Sequence, residues 1–171
     1  IDLLVGNGDG TFQAANISNP LPTNVLPNAV TAADLNHDGH LDLVIPSIYG
    51  GTFNLGVVDV LLGNGDGTFK SAVSYDSGEN SEFAAVADLN GDGNLDLAVA
   101  TFNTSGVNIL LGNGDGTFVE AGQFTTGDGS TSVAAADFNA DGAADLVVAN
   151  NGIGTTFNGN LSPGNLSLLM G

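Results

Sequence analysis

The sequence has no cysteine and no tryptophan, and Lys70 is its only basic residue among 171. Absence of cysteine excludes a disulfide framework, thiolate metal sites and a cysteine nucleophile. A net charge of −18 with a single cation excludes nucleic acid as a partner, because phosphate contacts need Lys and Arg. It disfavours an anionic membrane surface on the same ground. No apolar run is long enough to span a bilayer, so direct membrane insertion is not expected, and no signal peptide is evident. The chain opens on "IDLLVGNGDG" without an initiator Met, which fits a mature or trimmed product, or part of a longer chain. Yet 42% of residues are hydrophobic, too many for a disordered acidic tail.

What is present is repetition. "GNGDGTF" occurs at 6–12, 63–69 and 112–118, and "DLNHDGHLD" at 34–42 returns as "DLNGDGNLD" at 88–96 and "DFNADGAAD" at 137–145. The two motifs alternate, so each unit of roughly fifty residues holds one of each. Short apolar runs lead into and out of the acidic loops: "AVTAAD", "FAAVAD" and "SVAAAD" before, "LDLVIP", "LDLAVA" and "ADLVVA" after. Runs this short between Gly, Asn and Asp read as strands, because helices need ten or more residues. "NGDG" between two such runs is a hairpin signal, since Asn and Gly tolerate positive φ. Each unit therefore holds four strands: A, the acidic loop, B, a variable connection, C, the NGDG turn, and D. The expected fold is all-β, built of β-propeller blades of four antiparallel strands in about three repeats. Strand A is rich in Ala and Val, which suits an innermost strand. The expected units are a C–D hairpin of a preceding blade at 1–18, then blades at 19–75, 76–125 and 126–171, the last without strand D. That count gives thirteen strands.

Nine of the nineteen acids fall at positions 1, 5 and 9 of the three acidic loops. Two like charges about 4 Å apart repel by roughly 1 kcal/mol in water and about 4 kcal/mol at an effective dielectric of 20. A hard divalent cation removes that repulsion, and oxygen donors at alternating positions suit Ca²⁺. The candidate ligands are Asp34, Asn36, Asp38 and Asp42; Asp88, Asn90, Asp92 and Asp96; and Asp137, Asn139, Asp141 and Asp145. His40, Asn94 and Ala143, at position 7, would each give a main-chain carbonyl. About three ions are expected, one per loop. An EF-hand shares the opening of the loop but needs a Glu at position 12; here that position is Ile45, Val99 or Val148. Asp9, Asp66 and Asp115 lie between glycines without a partner acid and read as turn residues. The side chains of His37 and His40 read as exposed bystanders, and Glu79, Glu82 and Glu120 as isolated and solvated.

The pairing of "AADLNHDGHLDLVI" or "VADLNGDGNLDLAVA" with "LLGNGDGTF" resembles the FG-GAP/VCBS repeat, which builds the propeller of integrin α-subunits and of many secreted proteins. The resemblance covers nearly the whole chain. It implies Ca²⁺ in the A–B loops and a secreted or cell-surface setting. It leaves function open among adhesion, glycan binding and scaffolding. Three units are fewer than a closed ring needs, so the partners expected are the remaining blades of a longer chain, or other copies joined at open strand edges. Protein or glycan ligands are further candidates, although sugar sites favour aromatic platforms and only Tyr49 with Phe53 offers one. No Ser/His/acid set, phosphate loop or His cluster is present, so catalysis is not expected. The sequons at Asn16, Asn103 and Asn160 would accept glycans in a eukaryotic secretory cell; the one at Asn165 begins a predicted strand and is the least suited.

Overall fold

A computed structural model describes residues 2–14, 21–23, 25–49, 55–152 and 164–171. Asn16, Asn160, Phe53 and the side chain of Tyr49 lie outside the described residues. Every regular element among them is a β-strand, and all pairing is antiparallel. The N-terminal hairpin is β1 (Leu4–Gly6) with β2 (Phe12–Ala14). The first sheet holds β3 (Val25–Pro27), β4 (Thr31–Ala33), β5 (Asp42–Tyr49), β6 (Leu55–Leu61) and β7 (Val73–Glu79). The second is β8 (Ser81–Ala87), β9 (Asp96–Thr101), β10 (Gly106–Gly112) and β11 (Phe118–Thr125). The third is β12 (Ser130–Ala136), β13 (Asp145–Asn150) and β14 (Asn165–Leu169). In each sheet the strands pair in chain order, as a propeller blade requires.

One difference from the expected pattern has a local cause. Strand A of the first blade is split: β3 pairs with Ser47–Tyr49 and β4 with Asp42–Val44, on the same edge of β5. The gap lies opposite Pro46, whose oxygen accepts from Asn28 N at 2.9 Å. Proline has no N–H to return, so the ladder cannot continue through it. The equivalent residue in the second blade is Ala100, and β8 runs unbroken there apart from a register shift between Ser81 and Phe83.

The blades stack face to face, and period-2 alternation divides their side chains between two cores. In the second blade Ala84, Leu97, Val99 and Leu110 face the first blade and join Val44, Val58 and Val60. Ala85, Ala98, Ala100, Val107 and Ile109 face the third and join Val133, Leu146 and Val148. The Ala-rich strands approach most closely: Thr31 Oγ1 donates to Ala84 O at 3.0 Å across the first interface, and β8 also contacts β12. Small side chains permit this approach. A bulkier residue at Ala84 would meet a fully buried wall.

Candidate metal-binding loops

Each acidic loop joins strand A to strand B, and its side chains fold back on its own main chain. In the first loop Asp38 N lies 3.1 Å from both Asp34 Oδ1 and Asn36 Oδ1. Gly39 N donates to Asp34 Oδ2 at 2.9 Å, and His40 N to Asp38 Oδ1 at 2.9 Å. The second loop repeats the set: Asp92 N to Asp88 Oδ1 and Asn90 Oδ1, Gly93 N to Asp88 Oδ2, Asn94 N to Asp92 Oδ1. The third repeats it again with Asp137, Asn139, Asp141, Gly142 and Ala143. The main-chain N–H of the position-7 residue, first among several causes, holds the carboxyls of Asp38, Asp92 and Asp141 below their ordinary value. The bend that recurs in all three loops needs positive φ at Gly39, Gly93 and Gly142, between 84° and 95°, which glycine adopts without steric penalty.

The ninth residue of each loop is set apart from these. Asp42, Asp96 and Asp145 are fully buried. Each uses one oxygen to accept from position 2 of its own loop: Leu35 N, Leu89 N and Phe138 N donate to Oδ2, all at 2.9 Å. The other oxygen accepts from the glycine that closes strand C: Gly63 N at 2.7 Å, Gly112 N at 2.8 Å and Gly171 N at 2.9 Å. The ninth carboxylate thus latches the A–B loop to the far end of strand C. These glycines are steric necessities, since a Cβ on Gly63, Gly112 or Gly171 would lie 2.2, 2.2 or 2.4 Å from a main-chain oxygen of Leu41, Leu95 or Ala144.

The oxygens of positions 1 and 3 therefore meet at the N–H of position 5 in every loop, the position-5 carboxylate accepts from position 7, and position 9 is engaged by main-chain donors. Among the described residues no three Asp, Glu or His side chains gather closely enough to hold a metal by themselves. The donors that do converge are hard oxygens of Asp and Asn, the type Ca²⁺ takes. With one Lys and no Arg in the chain, side chains cannot neutralise three such loops. On donor type and missing counter-charge, the residues fit a divalent cation.

The NGDG turns are built without acid clusters. Thr11 donates both N–H (2.9 Å) and Oγ1–H (2.6 Å) to Asp9 Oδ1, and Asn7 Nδ2 donates to Thr11 Oγ1 at 2.9 Å. Thr68 with Asp66 and Thr117 with Asp115 repeat the arrangement. The threonine hydroxyl, then its N–H, holds each carboxyl below its usual value. These aspartates serve the turn. The sequence gives no local signal that the two motifs touch, but they do: His40 sits over Gly65 and Asn94 over Gly114, with ring or amide atoms 2.3–2.9 Å from where a Cβ would be. The His40 side chain is exposed at its rim but caps a turn. His37 is exposed at φ 58°.

Glu79 and Glu120 are exposed, but Glu82 is half-buried, and burial raises its pKa. It lies on β8 between two blades, which a reading of one strand at a time does not reveal. Asn103 is exposed in the β9–β10 turn. Asn165 is the first residue of β14 and accepts from Asn150 Nδ2 at 2.7 Å.

Three blades, each with an acidic A–B loop, and NGDG turns in the N-terminal hairpin and the first two blades, define a propeller-repeat protein. The family model for the FG-GAP-like repeat matches residues 1–45, 48–99 and 88–148, and the chain belongs to that family. No curated protein and no solved structure matches it. FG-GAP repeats are generally structural rather than catalytic and are typical of extracellular proteins. No helix among the described residues is long and apolar enough to cross a membrane.

Proposed function

We propose that this chain is a non-catalytic, calcium-stabilised extracellular structural or adhesion module that associates end to end through open blade edges. The observation that carries the calcium part is the threefold loop in which Asp and Asn oxygens at positions 1 and 3 meet at the position-5 N–H, next to the position-5 carboxylate, in a chain with one Lys and no Arg to balance them. Asp34, Asn36 and Asp38, with the His40 carbonyl, would hold one ion. Asp88, Asn90 and Asp92 with the Asn94 carbonyl, and Asp137, Asn139 and Asp141 with the Ala143 carbonyl, would hold two more. Asp42, Asp96 and Asp145 keep free lone pairs and can contribute beside their main-chain bonds. The bound ion would supply charge neutralisation and a rigid A–B corner.

Support for open-edge association comes from the ends of the stack. Leu166 and Leu168 of the third blade are 73% and 55% exposed, and Leu4 of the hairpin is 60% exposed. Apolar faces of this kind mark interaction surfaces.

The test is a thermal melt in millimolar Ca²⁺ and in excess chelator. A ligand at a hundred times its dissociation constant stabilises by about 2.7 kcal/mol per site. Three sites would raise Tm by on the order of 15 °C or more for a chain of this size. Superimposable melts would remove calcium from the reading.

A further inference from the structure

The two blade interfaces are built alike, except that one side chain of the first has no counterpart in the second among the described residues. At the first interface Phe118, the first residue of β11, is buried in the core with Leu35, Val60, Leu97 and Leu110. Its ring meets Tyr75 edge-on, centroids 5.5 Å apart at 82°. Moving each neighbour one repeat along gives Leu89, Ile109, Leu146 and Leu169, with Phe124 in place of Tyr75. Those residues line an apolar cavity of about 320 Å³ between the second and third blades. The frame is the same in detail: the Ser77–Ser81 hydroxyl pair recurs as Thr126–Ser130. An apolar cavity of about 150 Å³ already accepts a benzene ring, so this one has room for a benzyl group. The residue that would fill it is the phenylalanine of a fourth strand, beside β14.

The molecule also carries such a phenylalanine that is not buried. In "GNGDGTF" at 6–12, Phe12 is 66% exposed, whereas Phe118 is 7% exposed. Phe12 pairs across its hairpin with Gly6, as Phe69 pairs with Gly63 and Phe118 with Gly112. Gly171 is the fourth such glycine; it lines the cavity and has no phenylalanine opposite it among the described residues.

We infer that the cavity is a socket for Phe12 of a second copy of this chain, whose β2 adds to the edge of β14 that is unpaired among the described residues, as β11 adds to β10. This rests on the open-edge association proposed above and names its contact. β2 must exchange β1 for β14 to do so. It gives up only three residue pairs of a two-stranded hairpin, an arrangement that is marginal in water by itself. The joint is heterologous, so repetition extends a chain of molecules.

Light scattering over a range of concentrations in Ca²⁺ tests the contact with wild type, Phe12→Ala and Ala144→Leu. Ala144 lines the socket, and leucine there copies Leu95 of the first interface and fills the space. Phe12→Ala alters an exposed residue, so folding is not at risk, and a melt confirms it. The expected result is a wild-type mass rising to at least twice the 17.0 kDa of the chain, with both variants at the monomer mass. If Phe12→Ala assembles as the wild type does, the socket contact is wrong while open-edge association stands. A wild-type monomer at every concentration overturns both and leaves the socket to polypeptide following residue 171 in a longer protein. The calcium reading is decided separately by the chelator melt.

Discussion

Replacing Asp96 by alanine removes the latch at the centre of the molecule. Its carboxylate is fully buried and accepts from Leu89 N at 2.9 Å and Gly112 N at 2.8 Å. A hydrogen bond to a charged group contributes about 1.5–3 kcal/mol, so the pair contributes about 3–6 kcal/mol. The substitution also strands two N–H groups, a half-buried one on the A–B loop and a buried one at the end of strand C. Set against about 5–15 kcal/mol for a whole domain, this is a large fraction of the stability, and Tm should fall by on the order of 10 °C or more. Asp96→Asn keeps the shape but turns one acceptor into a donor facing an N–H, so it should be nearly as damaging as alanine. Urea denaturation followed by circular dichroism, run in Ca²⁺ and in chelator, measures the effect. The latch acts between protein groups, so the loss should persist in chelator. A change below about 1 kcal/mol, or one seen only with Ca²⁺, would refute the reasoning and make Asp96 a metal ligand before anything else.

Two further outcomes follow from the geometry. Gly112→Ala puts a Cβ 2.2 Å from Leu95 O, so the main chain must shift and the Asp96 latch with it; a loss of about 2 kcal/mol or more is expected, and an unchanged denaturation midpoint would show that the strand end yields freely. In the NGDG turns the carboxyls of Asp9, Asp66 and Asp115 sit below the ordinary 3.8 because Thr11, Thr68 and Thr117 donate to them. Depressed folded values mean that the stabilisation is present above pH 3.8 and is lost as pH falls through the folded values. Threonine amide shifts followed by NMR should therefore titrate with midpoints below 3.8, and midpoints at or above 3.8 would show that these bonds do not form in solution.

Much of the fold is legible because the sequence states it three times. Apolar runs too short for helices, separated by "DLNGDG" and "NGDG", leave antiparallel strands as the arrangement that buries alternate residues on two faces. Ala84 and Ala85 go to opposite cores for that reason. The split of strand A was also written, in Pro46, though it speaks only when its edge partner is known. The half-burial of Glu82 and the seating of His40 on Gly65 depend on contacts between segments far apart in the chain, where no local pattern points.

The ninth aspartate shows most clearly what spacing leaves out. By its place in "DLNGDGNLD" it belongs with the other acids as a fourth oxygen around an ion. In the folded chain its partner is a glycine up to 26 residues downstream. The sequence did contain a trace of this: each unit ends strand C on a glycine, at 63, 112 and 171, where the turn alone would not demand it. A Cβ there would strike the residue just before the aspartate, so aspartate and glycine are two halves of one joint. This joint and the oxygens of positions 1, 3 and 5 do different work. The latch fixes the loop to its own blade through protein groups, and the ion site would stiffen the exposed part of the loop. Position 7 gives the loop its main-chain N–H, which donates to the position-5 carboxylate, and its side chain varies as His40, Asn94 and Ala143. Position 9 has both carboxylate oxygens occupied by main-chain donors, and no other side chain of that length offers two acceptors, so it is aspartate in every blade.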